Sequence, residues 1–76
     1  MKLRIIVTLK NGVLDPQGKA IQHALGGLGF SGVDDVRAGK LIELDVADDT
    51  SDASIDEMCR KLLANTVIEN YRIEKQ

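Results

Sequence analysis

The chain has very little with which a small protein could staple itself together or carry out chemistry. It contains one cysteine (Cys59), one histidine (His23), one proline (Pro16), no tryptophan, and only two aromatic rings, Phe30 and Tyr71. A single cysteine excludes an internal disulfide, and one cysteine with one histidine is too small a ligand set for a structural zinc site. A basic surplus is also missing. The net charge is −2, with both signs scattered along the length. With no basic face and no row of stacking aromatics, nucleic-acid binding is disfavoured. No run approaches the roughly 20 apolar residues of a membrane span. The opening stretch Met1 to Val7 has too short an apolar run for a signal peptide and no small-residue cleavage site. The expectation is therefore a cytoplasmic protein, which suits a lone reduced thiol.

What is present is a single-domain length, residues 1–76, with an ordinary 43% hydrophobic and 29% charged composition. A chain of this size buries only about 60% of the surface its unfolded form exposes. Disulfides and metals being excluded, oligomerisation is the remaining source of stability.

Lys2 to Leu9 alternates, with Leu3, Ile5, Val7 and Leu9 on one side and Lys2, Arg4, Ile6 and Thr8 on the other, the period of a half-buried strand. Asn11-Gly12 ends it. Asp15 can cap a helix whose first position is Pro16, and Ala20, Ile21, Ala24, Leu25 and Leu28 follow as an apolar stripe. This helix is expected over Pro16 to Leu28, with Gly29 as a left-handed exit. Val33 to Ala38 and Leu41 to Val46 read as two short strands turning at Gly39-Lys40, followed by an acidic loop from Ala47 to Asp52. Ser54 to Glu57 reads as a capping box, and Ile55, Met58, Cys59, Leu62 and Leu63 as a second helical stripe. Val67 to Glu74 is the last strand. The order predicts an α+β fold: a ferredoxin-like βαββαβ two-layer sandwich, its antiparallel sheet carrying both helices on one face. Ile6 and Leu41 are apolar on the side that faces away from those helices, which predicts a twofold dimer through the open sheet face.

The motifs that look catalytic fail on context. Gly27 to Gly32 matches G-x-G-x-x-G, but it closes a helix, where exposed carbonyls repel phosphate, instead of opening one. Gly12 to Ala20 is near a phosphate loop, yet it has one residue too many between glycines, and Ala20 where a magnesium-binding hydroxyl is required. Cys59 and His23 do not read as a nucleophile and its base. Cys59 lies on the apolar stripe with Met58 and Leu62, and His23 lies opposite Ile21, Leu25 and Leu28. Asp48, Asp49 and Asp52 fit no EF-hand spacing. No catalytic residue, metal site or bound cofactor is expected in this chain.

Lys10-Asn11-Gly12-Val13-Leu14-Asp15-Pro16-Gln17-Gly18 resembles the signature of the PurS family, the small subunit of phosphoribosylformylglycinamidine synthase. The likeness continues through Ala24-Leu25, Leu28-Gly29-Phe30 and Val36-Arg37-Ala38-Gly39-Lys40. It resumes from Cys59 to Asn65 and from Val67 to Ile73. Thr66 departs from it, standing where the family commonly has proline. The resemblance implies a non-catalytic role in the fourth step of purine synthesis, in which formylglycinamide ribonucleotide becomes its amidine. ATP and magnesium would be used by a large synthetase subunit and ammonia released by a glutaminase subunit, with the small subunit a homodimer joining the two. On that reading Val13, Leu14, Asp15, Pro16, Gln17, Gly18, Arg37, Gly39, Lys40, Ile6 and Leu41 are the interface candidates. Val13 and Leu14 either fold back on the core or meet a partner. Arg37 and Lys40, beside the expected hairpin turn, either pair with a partner's carboxylates or stay solvated. The rival is a small-molecule-binding regulatory domain of the same ferredoxin-like shape.

Overall fold

The alternation of Lys2 to Leu9 becomes a strand, β1 (Lys2–Leu9), whose Leu3, Ile5 and Val7 are fully buried while Lys2, Arg4 and Thr8 are exposed. A computed structural model describes all 76 residues, Met1–Gln76. The remaining elements are α1 (Pro16–Gly27), β2 (Gly39–Asp45), α2 (Asp52–Met58) and β3 (Glu69–Lys75). A single π turn, Cys59–Leu63, extends α2 and is closed by the Ala64 N–H donating to the Cys59 carbonyl at 2.9 Å.

The sheet has three antiparallel strands in the order β2-β1-β3. Register places Leu3 opposite Leu44, Ile5 between Ile42 and Ile73, and Val7 opposite Tyr71 on the inner face. On the outer face Arg4 stands between Glu43 and Glu74, and Ile6 between Leu41 and Arg72. The fold is α+β and ferredoxin-like, with both helices on one face of the sheet.

The expected fourth strand, Val33 to Ala38, is not one: those residues join no ladder, and there is no hairpin at Gly39-Lys40. The reason lies in their partners. Gln22 Nε2 on α1 donates to the Val33 and Asp34 carbonyls at 3.3 and 3.0 Å, and the Ala38 N–H is taken by Asp15. The segment runs back along α1 instead of along the sheet. The second helix also starts earlier than expected. Ser51 is its cap, accepting from the Ser54 N–H at 3.1 Å, so Ser54 is the third helical residue.

The two helices share the sheet unequally. α2 and its π turn set Ile55, Cys59 and Ala64 on Leu3, Ile5 and Val7, which together form the whole apolar core. α1 makes only marginal contact with the other elements. Its expected core stripe is largely in solvent: Ile21 is 41% exposed and Leu28 74%, with Phe30 beyond the helix at 59%. The molecule is accordingly long, 50 × 25 × 14 Å, with a radius of gyration of 15.7 Å. A compact chain of this length would measure about 11 Å.

Candidate functional site

Two of the stretches that carry the family likeness, Lys10 to Gly18 and Val36 to Lys40, meet where α1 begins. Asp15 caps α1 as its position before Pro16 suggests, its Oδ1 accepting from the Gly18 N–H at 2.8 Å. Its other oxygen, Oδ2, accepts from the Ala38 N–H at 2.7 Å. One buried carboxylate therefore ties the start of α1 to the segment that returns into β2. The two N–H donors and the nearby Arg37 charge, in that order of weight, hold its pKa below the usual carboxylate value.

Two glycines let backbones approach at this junction. A Cβ on Gly18 would fall on the Val36 carbonyl oxygen and lie 2.9 Å from Asp15 Oδ2. One on Gly39 would lie 2.5 Å from the Val7 carbonyl oxygen across the β1–β2 pair. Gly29, with φ at 96°, takes the left-handed conformation expected at the exit of α1, and Gly12, just past the end of β1, is left-handed too, with φ at 84°.

Arg37 closes the other side. Its guanidinium donates to the Val13 and Lys10 carbonyls, both at 3.1 Å, and to the Leu9 carbonyl at 3.4 Å. It thus gathers the loop between β1 and α1 onto the returning segment. Lys40 reaches Glu69 at 3.9 Å, and Glu69 Oε1 accepts from the Asn65 N–H at 2.7 Å. The result is an open cleft lined by Asp15, Pro16, Gln17, Lys40 and Glu69. Beside it Val13 is half-buried, and Leu14 is 70% exposed. Ile6 and Leu41 lie elsewhere, side by side on the outer face of the sheet.

This junction is a mechanical one: it supplies geometry and hydrogen bonds, and no nucleophile. A second polar cluster pins α2 to β3, with the Tyr71 hydroxyl donating to Asp56 Oδ1 and Arg60 Nε to Asp56 Oδ2 at 2.7 Å. The Tyr71 bond, then Arg60, lowers the Asp56 pKa, and the same bond raises that of Tyr71. Cys59 next to them is fully buried, and burial first, then the Asp56 charge, pushes its pKa up. A thiol kept protonated in this way packs as an apolar group. His23 is exposed on α1. No group of three or more metal-ligating side chains occurs, and no helix is long and apolar enough to cross a membrane.

Sequence reasoning found Asp15 as a cap but not its bond to Ala38, 23 residues away. It also missed the Arg37 grip on three carbonyls and the Asp56–Tyr71 tie. No local pattern announces such contacts. The only available signal was that Asp15, Gly18 and Arg37 stand in the stretches that carry the resemblance.

Known proteins match the chain along nearly all of it. A family model, PurS, described as phosphoribosylformylglycinamidine (FGAM) synthase, matches residues 2–76. The phosphoribosylformylglycinamidine synthase subunit PurS of Bacillus subtilis is 53% identical over 75 residues, covering 96% of this chain and 89% of that one. A solved structure of B. subtilis PurS superposes with a TM-score of 0.87, covering 96% of this chain and 94% of the other. A chain in the structure of PurLQS from Thermotoga maritima superposes at 0.85 with 29% identity, covering 99% and 95%.

Proposed function

The chain belongs to the PurS family, and from that premise we propose that it works as a homodimer joining the ATP-dependent synthetase subunit of phosphoribosylformylglycinamidine synthase to its glutaminase subunit. It is an accessory subunit of that synthase in purine biosynthesis, not an enzyme by itself. The reading rests on one observation above all, the match of residues 2–76 to the family with 53% identity to a PurS subunit across nearly both lengths. The Thermotoga relative, whose structure includes further subunits, supports an assembly of the same kind.

Residues 1–76 act as one PurS-like domain. ATP and magnesium belong to the synthetase partner, and glutamine hydrolysis to the other. Two surfaces are proposed to meet the other subunits. One is the junction loop, with Val13, Leu14, Asp15, Pro16, Gln17 and Gly18 held in shape by Arg37, Gly39 and Lys40. Leu14 supplies its exposed apolar point and the cleft beside it the polar rim. The second is the outer sheet face, where Ile6 and Leu41 form an apolar spot between charged rows. Rigidity matters at such a surface, because a loop already fixed loses little conformational entropy on docking.

The test is reconstitution of the synthase with and without this subunit, using glutamine or free ammonia as nitrogen source. Glutamine-dependent amidine formation should require the chain, and ammonia-dependent formation should depend on it much less. Full glutamine-dependent turnover in its absence would remove the reading.

A further inference from the structure

The charges of this chain are sorted along the sheet. At the Lys2 end of β1 the cations face acids across the ladder, Lys2 opposite Asp45 and Arg4 between Glu43 and Glu74. Asp48, Asp49 and Asp52 follow between there and the start of α2, where the Met1 amine bonds Asp48 at 2.8 Å and Lys75 meets Asp52 at 2.6 Å. The Leu9 end is the reverse. Lys10, Arg37 and Lys40 gather there. The two acids beside them are withdrawn from solvent, Asp15 being 4% exposed and the Glu69 side chain 14%. The ends of this eight-residue strand lie about 23 Å apart, well beyond a Debye length of roughly 8 Å. A net charge of −2 therefore does not govern what approaches the junction.

Of the three cations, two are free for a partner. Arg37 spends its guanidinium on the Val13, Lys10 and Leu9 carbonyls, so it shapes the loop and offers no open fork. Lys10 is anchored by its backbone, its N–H donating to the Ile68 carbonyl at 2.9 Å. Its ammonium has no carboxylate within 4.0 Å. Lys40 Nζ stands 3.9 Å from Glu69 Oε2, beyond hydrogen-bonding reach, with 56% of its side chain exposed. Lys10 and Lys40 line adjoining clefts that share Glu69 as a wall. By contrast, Arg60, Lys61, Arg72 and Lys75 all hold close ion pairs. Asp34 and Asp35 are exposed on the returning segment, where Gln22 of α1 holds it, and neither lines the two clefts.

We propose that Lys10 and Lys40 receive the carboxylates of an acidic segment on a neighbouring subunit of the synthase. The inference rests on the accessory-subunit reading above and deepens it by giving the junction's partner a charge. The chemistry of the site selects protein carboxylates over phosphate. A phosphate cradle takes backbone N–H groups or an arginine fork. Here the Gly18 and Ala38 N–H groups are taken by Asp15, and the Arg37 fork is turned inward. Asp15 and Glu69 beside the lysines also repel a dianion more than single carboxylates that spread over both cations. The cleft around Pro16, Gln17 and Lys40, about 420 Å³ and open to solvent, admits side chains from a facing surface and does not enclose a small ligand.

The test treats the reconstituted synthase with a carbodiimide, which joins a lysine amine to a carboxylate in contact with it, and maps the adducts by mass spectrometry. The expected adducts join Lys10 or Lys40 to an aspartate or glutamate of the synthetase or glutaminase subunit. In Lys10→Gln/Lys40→Gln, the concentration of this chain giving half-maximal glutamine-dependent turnover should rise about tenfold, with circular dichroism as in wild type. Added salt should weaken the wild type and move the variant less. Lys10→Arg/Lys40→Arg, which keeps both charges, should restore most of the loss. Lys75→Gln, at the far end of β3, should cause none. Adducts only to Glu69 or another carboxylate of this chain overturn the acidic dock. Protection of both lysines from amine labelling by ATP or phosphate alone overturns it too, as does a Lys10→Gln/Lys40→Gln chain that matches wild type. In all three results the wild-type chain still restores glutamine-dependent turnover; its failure to do so overturns the accessory reading as well.

Discussion

Replacing Gly18 by alanine gives the sharpest test of the junction, because helix propensity and packing predict opposite signs. Alanine is favoured over glycine within a helix by up to about 1 kcal/mol. By propensity alone the variant should therefore be more stable. The structure says otherwise. The new methyl would overlap the Val36 carbonyl oxygen, a backbone atom of a segment held by Ala38 and Gln22, and would meet Asp15 Oδ2 at 2.9 Å. Neither neighbour is the free end of a flexible side chain. Relief requires the returning segment to move off α1, breaking the Asp15–Ala38 bond. Overpacking of this kind costs about 1–3 kcal/mol, which leaves a net loss of about 0–2 kcal/mol, centred on about 1 kcal/mol. Gly26→Ala is the matched control: it lies in the same helix with nothing within 4 Å of its added Cβ, and should gain about 0.5–1 kcal/mol. For a domain of this size each kcal/mol shifts Tm by about 4–8 °C. At the mid-range values the two variants should therefore separate by about 7 °C or more in thermal melts at matched protein concentration, which an associating chain requires. A Gly18→Ala protein melting at or above wild type would refute the close approach at Val36.

Other consequences are simpler to state. Cys59→Ser should lose about 1–3 kcal/mol by burying a hydroxyl among Ile5, Ile55 and Ala64, read from urea denaturation. Native Cys59 should react with a thiol reagent far more slowly than in denaturant. Ile5→Ala, at a fully buried site, should cost about 2–5 kcal/mol. That is a large part of the stability of a chain this size, so the loss of cooperative melting is the expected readout. Asp15 has a folded pKa below its ordinary value of 3.8. Its contribution is therefore complete above that value and is lost as pH falls through the lower folded one. In Asp15→Asn, which keeps a capping oxygen but cannot ionise, the acid limb of stability against pH should be shallower, as followed by circular dichroism. Leu41→Asp, on the outer face at a position already 50% exposed, should leave melting unchanged. Under the proposed assembly it should weaken glutamine-dependent turnover of the reconstituted synthase more than ammonia-dependent turnover.

Where a structural feature is set by neighbours in sequence, the chain could be read without its fold. The period-two alternation of β1 named its three buried residues, Leu3, Ile5 and Val7, because adjacent side chains of a strand point to opposite faces whatever lies beyond. Asp15-Pro16 marked the start of α1, and Gly29 its left-handed exit, since capping and positive φ are properties of a few consecutive bonds. Cys59 was legible as core from its place on a helical stripe. Function was legible too, but by likeness over nearly the whole length and not from any reactive constellation. What lay beyond reach was every decision made between distant segments. Val33 to Ala38 reads as a short strand before the turn at Gly39-Lys40, yet Asp15 and Gln22 claim its polar backbone groups, and no local propensity reveals a competitor 11 or more residues away. Arg37 and Gly18 looked like surface charge and helix lead-in until the fold brought three carbonyls to the one and Val36 to the other. The α1 stripe is the deepest case. Amphipathic spacing says that a helix face must be covered but not by which surface, and only the tertiary structure shows that, within one chain, it stays uncovered.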